Sequence, residues 1–284
     1  MSDDRKLSSW EDAVVWLRSQ PDQRQLVLDA YYDDPLSGAA SRYSSTAEWQ
    51  EIASLLRGRS GTALDVGAGR GIASYALARE GFAVTALEPD PSSIVGAAAI
   101  RALASESALP ISVVEEFSER LPFADASFDV IFARAVLHHT TNLEQACSEF
   151  YRVLKPGGLF IAAREHVISD QADLATFLEQ HPLHKFYGGE QAFLLKRYVS
   201  ALESARFASL DVLTPLKSPI NLYPHTFDTL RREIISRLPQ AASRALASSL
   251  LRSDWLFQRL LDIAGFFDNR PGRLYSFVGH KAAR

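Results

Sequence analysis

The chain has 284 residues, with 30 basic and 34 acidic side chains, 47% hydrophobic and 23% charged residues, and one cysteine. Fifteen glycines, thirteen prolines and that apolar share exclude collagen-like, coiled-coil and disordered chains. Cys147 has no partner for an internal disulfide, the first residues lack a signal-peptide apolar run, and no stretch approaches the ~18 apolar residues of a membrane span, so a cytoplasmic location is expected.

Elements follow in chain order. The first 60 residues read as a helical cap: Trp10 to Leu17 and Gln23 to Tyr31 have helix-forming composition with Pro21 and Pro35 as breaks. A capping box, Ser45-Thr46-Ala47-Glu48, opens a third helix to about Leu56. Short apolar strands then alternate with helices: strands at Ala63 to Val66, Ala83 to Leu87, Ile111 to Val114, Phe128 to Ala133 and Leu159 to Ala163, and helices at Ile72 to Arg79, Pro91 to Ala104 and Leu143 to Leu154. This pattern predicts an α/β, Rossmann-like, doubly wound and mostly parallel sheet of seven strands, whose ligand lies outside the carboxyl ends of the strands. A helix from Glu190 to about Ala205, a strand at Phe207 to Leu213 and a last strand at Leu274 to Val278 complete it. Residues 216–270 read as a helical insertion, with Leu246, Leu250, Phe257, Leu261 and Ala264 on one stripe and Arg244, Arg252 and Arg259 opposite it. One domain, 61–215 with 271–284, is thus expected between a cap at 1–60 and the insertion.

Chemistry concentrates in Asp65-Val66-Gly67-Ala68-Gly69-Arg70-Gly71, a strand running into a glycine-rich turn that opens a helix. Glycine there lets a ligand approach the backbone and permits positive φ. The third glycine comes one residue earlier than in the dinucleotide fingerprint G-x-G-x-x-G, which disfavours a nicotinamide oxidoreductase. Glu88 ends the second strand 21 residues after Gly67, where a carboxylate accepts hydrogen bonds from ribose hydroxyls, and so implies a nucleoside ligand.

With these go Leu121-Pro122-Phe123-Ala124-Asp125-Ala126-Ser127-Phe128-Asp129 and Arg152-Val153-Leu154-Lys155-Pro156-Gly157-Gly158. In these four motifs, over about Thr62 to Ala163, the sequence resembles the class I S-adenosylmethionine-dependent methyltransferases, in particular the small-molecule, ubiquinone-type group. The resemblance implies S-adenosyl-L-methionine as cofactor, with Gly67, Ala68 and Gly69 against its methionine and ribose, Asp65 ordering the turn, Glu88 on the ribose hydroxyls and Pro89 beside the adenine. Where the family usually has an adenine-binding Asp this chain has Phe117, leaving backbone groups, ring stacking or Glu116 for that role. Tyr43 is expected to cover the cofactor, and the loop from Arg134 through His138 and His139 to border the transferable methyl.

Arg164-Glu165-His166 ends the neighbouring fifth strand, so a histidine of the first loop, His138 or His139, is expected to meet Glu165 or His166 as a base with its orienting partner. His181, His184 and Glu190 match no standard zinc spacing; no metal is expected, and the segment reads as a substrate-facing lid hinged at Gly188-Gly189. Aromatic residues proposed to roof the pocket are Tyr31, Tyr32, Tyr43, Trp49, Tyr187, Tyr223, Trp255 and Phe257. The implied activity is methyl transfer to O, N or C of a small-molecule acceptor, the alternative being a catalytically silent protein of the same fold that binds the cofactor or its product. The net charge of -4 argues against a nucleic-acid partner. From Leu216 to Arg284 eleven basic residues face five acidic ones, a net +6 that reads chiefly as a solvated arginine face.

Overall fold

The computed structural model describes residues 9–181, 184–239 and 247–283. Its strands are β1 (Thr62–Val66), β2 (Ala83–Leu87), β3 (Ile111–Val114), β4 (Phe128–Arg134), β5 (Leu154–Ile168), β6 (Phe193–Leu194), β7 (Ser209–Leu213) and β8 (Arg273–His280). They form one sheet in the order β3-β2-β1-β4-β5-β8-β7, parallel except for β8, which runs antiparallel to both neighbours. The two-residue β6 pairs with the end of β5, so the described sheet has eight strands where seven were expected. Strand order reverses between β1 and β4, and a ligand site of such a sheet belongs at their carboxyl ends.

Helices α1 (Trp10–Ser19), α2 (Arg24–Asp29), α3 (Leu36–Ser44), α4 (Ala47–Leu56), α5 (Ile72–Arg79), α6 (Ala97–Ser107), α7 (Leu143–Val153), α8 (Ala172–Gln180), α9 (His184–Tyr187) and α10 (Leu195–Ser204) follow the expected alternation, with differences. The helices α3, α8 and α9 were not foreseen. The cap of α4 is Thr46 rather than Ser45: its hydroxyl accepts from Trp49 N–H. Glu48 therefore does not close a capping box, and its side chain turns inward instead. Helix α6 begins at Ala97, not Pro91, because residues 91–96 turn so tightly that a Cβ on Gly96 would stand 2.1 Å from the Asp90 carbonyl.

Side-chain alternation divides the core between the sheet's two faces. Leu64, Ile131, Phe160 and Ala162 pack with Cys147, Phe150 and Tyr198 from α7 and α10. Val130, Phe132, Ile161 and Ala163 pack with Trp49, Ile52 and Leu77 from α4 and α5. The third and fourth motifs are one structural unit: the Arg152 guanidinium donates to the carbonyls of Leu121 and Phe123 and to the Asp125 carboxylate. Asp129 accepts from Thr62 N–H at 2.8 Å and meets Lys155 at 2.7 Å, tying β1 to β4.

In residues 216–270 the expected stripe does not hold. Ser253 caps a separate helix, Asp254–Phe266, so helical phase restarts there. Phe257 and Leu261 are buried with Leu251, whereas Leu250 is 52% exposed and Ala264 is exposed. Leu246 and Arg244 lie outside the described residues; Arg252 and Arg259 are exposed as expected.

Candidate functional site

Three glycines of the turn after β1 take positive φ, +59° at Gly67, +54° at Gly69 and +81° at Gly71, conformations that side chains disfavour. The fold holds the turn from two sides. Asp65, 1% exposed, accepts from the Ser74 hydroxyl at 2.5 Å, which fixes the start of α5. Glu88 accepts from Gly69 N–H at 2.7 Å and from Asp90 N–H at 3.0 Å. Burial pushes both carboxyls up to about 7, against the hydrogen bonds they receive.

A cavity of about 770 Å³ opens above this turn, within the usual range of small-molecule sites. Asp65, Gly67, Ala68, Gly69, Glu88 and Pro89 line one end of it, as do Glu116 and Phe117. Phe117 is 66% exposed, a ring available to a ligand rather than to the core. The Glu116 carboxylate accepts from Phe117 N–H at 3.0 Å. Among the described residues, none but its own chain neighbours comes within 4 Å of where a Gly69 Cβ would stand, so the backbone there faces open space.

Tyr43 does not reach the cavity. It is fully buried between Tyr31 and Trp49, its hydroxyl 3.2 Å from Glu48, because the unforeseen α3 carries it into the core. Tyr31, Tyr32 and Tyr187 line the cavity in its place. Tyr223 stacks on Tyr31, Trp49 is a core residue, Phe257 is buried and Trp255 is 69% exposed away from the site. Arg134 does line the cavity, but its guanidinium is bound by Glu48 at 2.6 and 3.0 Å. Glu48 is fully buried and has Arg164 at 3.7 Å as a second cation; Arg134 and Arg164 hold its carboxyl below the usual range despite burial.

Sequence reasoning missed this buried trio, since a Glu in a capping position gives no sign of an inward role. It also missed Arg70. Its guanidinium, 6% exposed, donates to the Tyr31 and Asp33 carbonyls and pairs with Asp34 at 2.6 Å. That clamp seats the 31–34 segment over the glycine turn.

The other end of the cavity is lined by His138, His139, His166, His181 and Glu190. A bulge in β5 makes this possible. Pairing with β8 shifts register between Ala162 and Glu165, and Arg164 adopts φ +63°. Ala163 and Arg164 consequently face the α4 side in succession, which reverses the parity of the strand beyond them. Glu165 then accepts from the backbone N–H groups of Val136 and His138 at 3.1 and 3.2 Å, and meets His138 Nδ1 at 2.7 Å. Surrounded by donors, Glu165 favours the tautomer in which Nδ1 carries the proton and Nε2 a lone pair.

His138 and Glu165 are thus brought together among the four residues expected here. His166 lies ring to ring with His138, centroids 4.8 Å apart, with its Nδ1 2.9 Å from the Gly272 carbonyl. His139 Nδ1 meets the Gly189 carbonyl at 3.2 Å. Burial holds all of these imidazoles below the usual histidine range, His166 down to about 3. They are neutral, with lone pairs available.

Residues 64–162 match a family model described as a methyltransferase domain. The chain is 37% identical over 100 residues to a ubiquinone biosynthesis O-methyltransferase of Methylobacterium nodulans, covering 35% of this chain and 39% of that one. It is 38% identical over 104 residues to a ubiquinone/menaquinone biosynthesis C-methyltransferase of Brucella anthropi, with the same shares. It therefore spans about two fifths of the length of these curated relatives. Among solved structures, a phosphoethanolamine N-methyltransferase 2 of Haemonchus contortus, crystallised with phosphomonomethylethanolamine and S-adenosylhomocysteine, has a TM-score of 0.54 at 21% identity. That alignment covers 98% of this chain and 61% of the other, and it shows a shared fold.

Proposed function

We propose that this chain, which carries a class I S-adenosylmethionine-dependent methyltransferase domain, transfers a methyl group from S-adenosylmethionine to O, N or C of a small-molecule acceptor. The observation that carries the reading is a single cavity joining the glycine turn and Glu88 at one end to a set of neutral imidazoles at the other. Glu88 tests the fit of the cofactor. A carboxylate has about four acceptor positions; the N–H groups of Gly69 and Asp90 take two, leaving two for a pair of ribose hydroxyls. The open space beside Gly69 admits a ligand to the backbone, and Phe117 and Pro89 offer apolar surface for a base.

When bound, S-adenosylmethionine supplies an electrophilic methyl carbon on a sulfonium sulfur. The chain's own residues do the rest. Tyr31, Tyr32 and Tyr187 wall the cavity and exclude water, so that alignment of acceptor and methyl, worth on the order of 7–11 kcal/mol in well-oriented cases, is held by the protein. His138 is the base of this reading: Glu165 fixes its Nδ1, and its Nε2 takes the proton of a hydroxyl or amine acceptor. His139 and His166 position the acceptor beside it. The described part of segment 1–60, through Tyr31 and Tyr32, caps the domain formed by 61–215 and 271–283, whereas no described residue of the insertion 216–270, expected as a substrate cap, lines the cavity.

Mass-spectrometric detection of S-adenosylhomocysteine and methylated product, with a panel of phenols, amines and carbon acids, tests the reading. Turnover that falls in His139→Ala and His166→Ala supports it; wild-type turnover in both variants overturns the assignment of the acceptor end. Tight cofactor binding without product from any acceptor would identify a silent binding protein instead.

A further inference from the structure

The imidazoles converge on a carboxylate whose ion-pair partners among the described residues are histidines. Glu190 is 8% exposed. Its Oε2 lies 3.9 Å from His138 Nε2 and 3.8 Å from His139 Nε2, and its Oε1 is 3.9 Å from His181 Nδ1. These separations are too long for hydrogen bonds. A largely desolvated carboxylate that faces imidazole lone pairs across a cavity wall is stabilised by a cation. His181 Nδ1 is likewise buried with no hydrogen-bond partner. His166 has its Nδ1 occupied by the Gly272 carbonyl, which aims the lone pair at Nε2 and mimics the way backbone carbonyls orient metal-binding histidines. Among the described residues, the ligand atoms of His166, His181 and Glu190 all lie within 4.8 Å of one another.

We propose that His166, His181 and Glu190 bind one divalent transition-metal ion, and that this ion grips an oxygen donor of the acceptor. Ligand atoms around one ion at ~2.1 Å stand roughly 3–4 Å apart, so a shift of under about 1 Å per atom closes the set. Glu190 follows Gly188 and Gly189, at φ +84° and +80°, on a loop able to make that adjustment. Two imidazoles and one carboxylate suit zinc, iron or cobalt rather than magnesium or calcium, which prefer all-oxygen shells. Three protein ligands would also leave a position open to the cavity, which His138 lines as well. An acceptor hydroxyl bound there loses its proton more readily, and His138 Nε2 is the nearby group to receive it. The linear spacing gave no hint of the site, because the ligands come from a strand end, a helix end and a loop.

The second half of the proposal rests on the methyltransferase reading; metal binding itself does not. The test uses the full chain, stripped with a chelator and titrated with Zn²⁺ by calorimetry and with Co²⁺ by visible absorption. One ion per chain is expected. Glu190→Gln and His181→Asn should each weaken uptake by more than about 100-fold, beyond the 10- to 100-fold that losing a supporting hydrogen bond costs. His225→Asn, at a histidine beside Glu233 outside the cavity, should leave it unchanged. Melting curves check folding, and if Glu190→Gln does not fold, the His181 position, 18% exposed, decides alone. Absence of stoichiometric uptake, or wild-type affinity in the variants, overturns the site. S-adenosylhomocysteine binding is measured on the same metal-free samples, and its failure would count against the methyltransferase reading separately.

Discussion

Glu88 offers the sharpest test of the cofactor end. Its two free acceptor positions would receive two hydroxyl donors, each a hydrogen bond to a charged group worth ~1.5–3 kcal/mol. Glu88→Ala should therefore cost ~3–6 kcal/mol of binding, a roughly 10²- to 10⁴-fold rise in Kd for S-adenosylhomocysteine. Glu88→Gln keeps one carbonyl oxygen and should lose about half as much. Titration adds a second signature. Burial pushes Glu88 up to about 7, while hydroxyl donors favour its ionised form. Wild-type affinity should then rise roughly tenfold between pH 6 and pH 8 and level off. Asp65 titrates in the same range, so the informative quantity is the difference between wild type and Glu88→Gln, whose slope should be shallower. Calorimetry at three pH values measures both. A Glu88→Ala Kd within threefold of wild type, or identical pH slopes, would refute the reasoning.

Three further outcomes are expected. Glu48→Ala leaves Arg134 and Arg164 partly buried without their anion and should cost ~3–5 kcal/mol of stability; a urea-melt loss under about 1 kcal/mol would show that water or Tyr43 compensates. Asp65 has a folded pKa raised to about 7 from an unfolded value near 4, so its contribution to stability is fully present below pH ~4 and is lost as pH rises through about 7. Asp65→Asn should flatten the fall in melting temperature of the ligand-free protein across that window, and an unchanged profile would count against the assignment. Glu165→Ala removes the acceptor that positions His138 and should lower kcat by ~10²- to 10⁴-fold, the usual contribution of a positioned base. Its S-adenosylhomocysteine Kd should stay at the wild-type value, and a parallel loss of cofactor binding would mean that Glu165 merely supports the fold.

The glycine-turn end of the cavity was legible in the sequence because its parts are consecutive. Asp65 through Gly71 form a strand, a turn and a helix start within seven residues, and Glu88 ends the next strand beside them, so local periodicity alone places all of them at the carboxyl ends of neighbouring strands. Tyr43 failed for the opposite reason. Whether an aromatic residue before a helix covers a ligand or fills the core depends on how helices pack, and α3 settled it toward the core. Glu48 was hidden similarly: its sequence neighbours fit a capping box, and only the tertiary approach of Arg134, 86 residues away, turns it inward.

The acceptor end shows why linear spacing is weakest where chemistry is assembled from several segments. Simple alternation along β5 would put Ala163, Glu165 and Val167 on one face. The bulge at Arg164 instead sets Val167 in the same cluster as Ala162 and brings Glu165 under the backbone of Val136 and His138. One inserted residue therefore does two things at once: it sends Arg164 to the buried Glu48 on one side of the sheet and presents Glu165 to His138 on the other. Flattening the bulge without removing a residue would send Glu165 to the Glu48 side and off His138, whereas deleting Arg164 would leave Glu165 on its present face, which makes the extra residue, rather than any single imidazole, the feature on which the geometry of this end of the cavity depends.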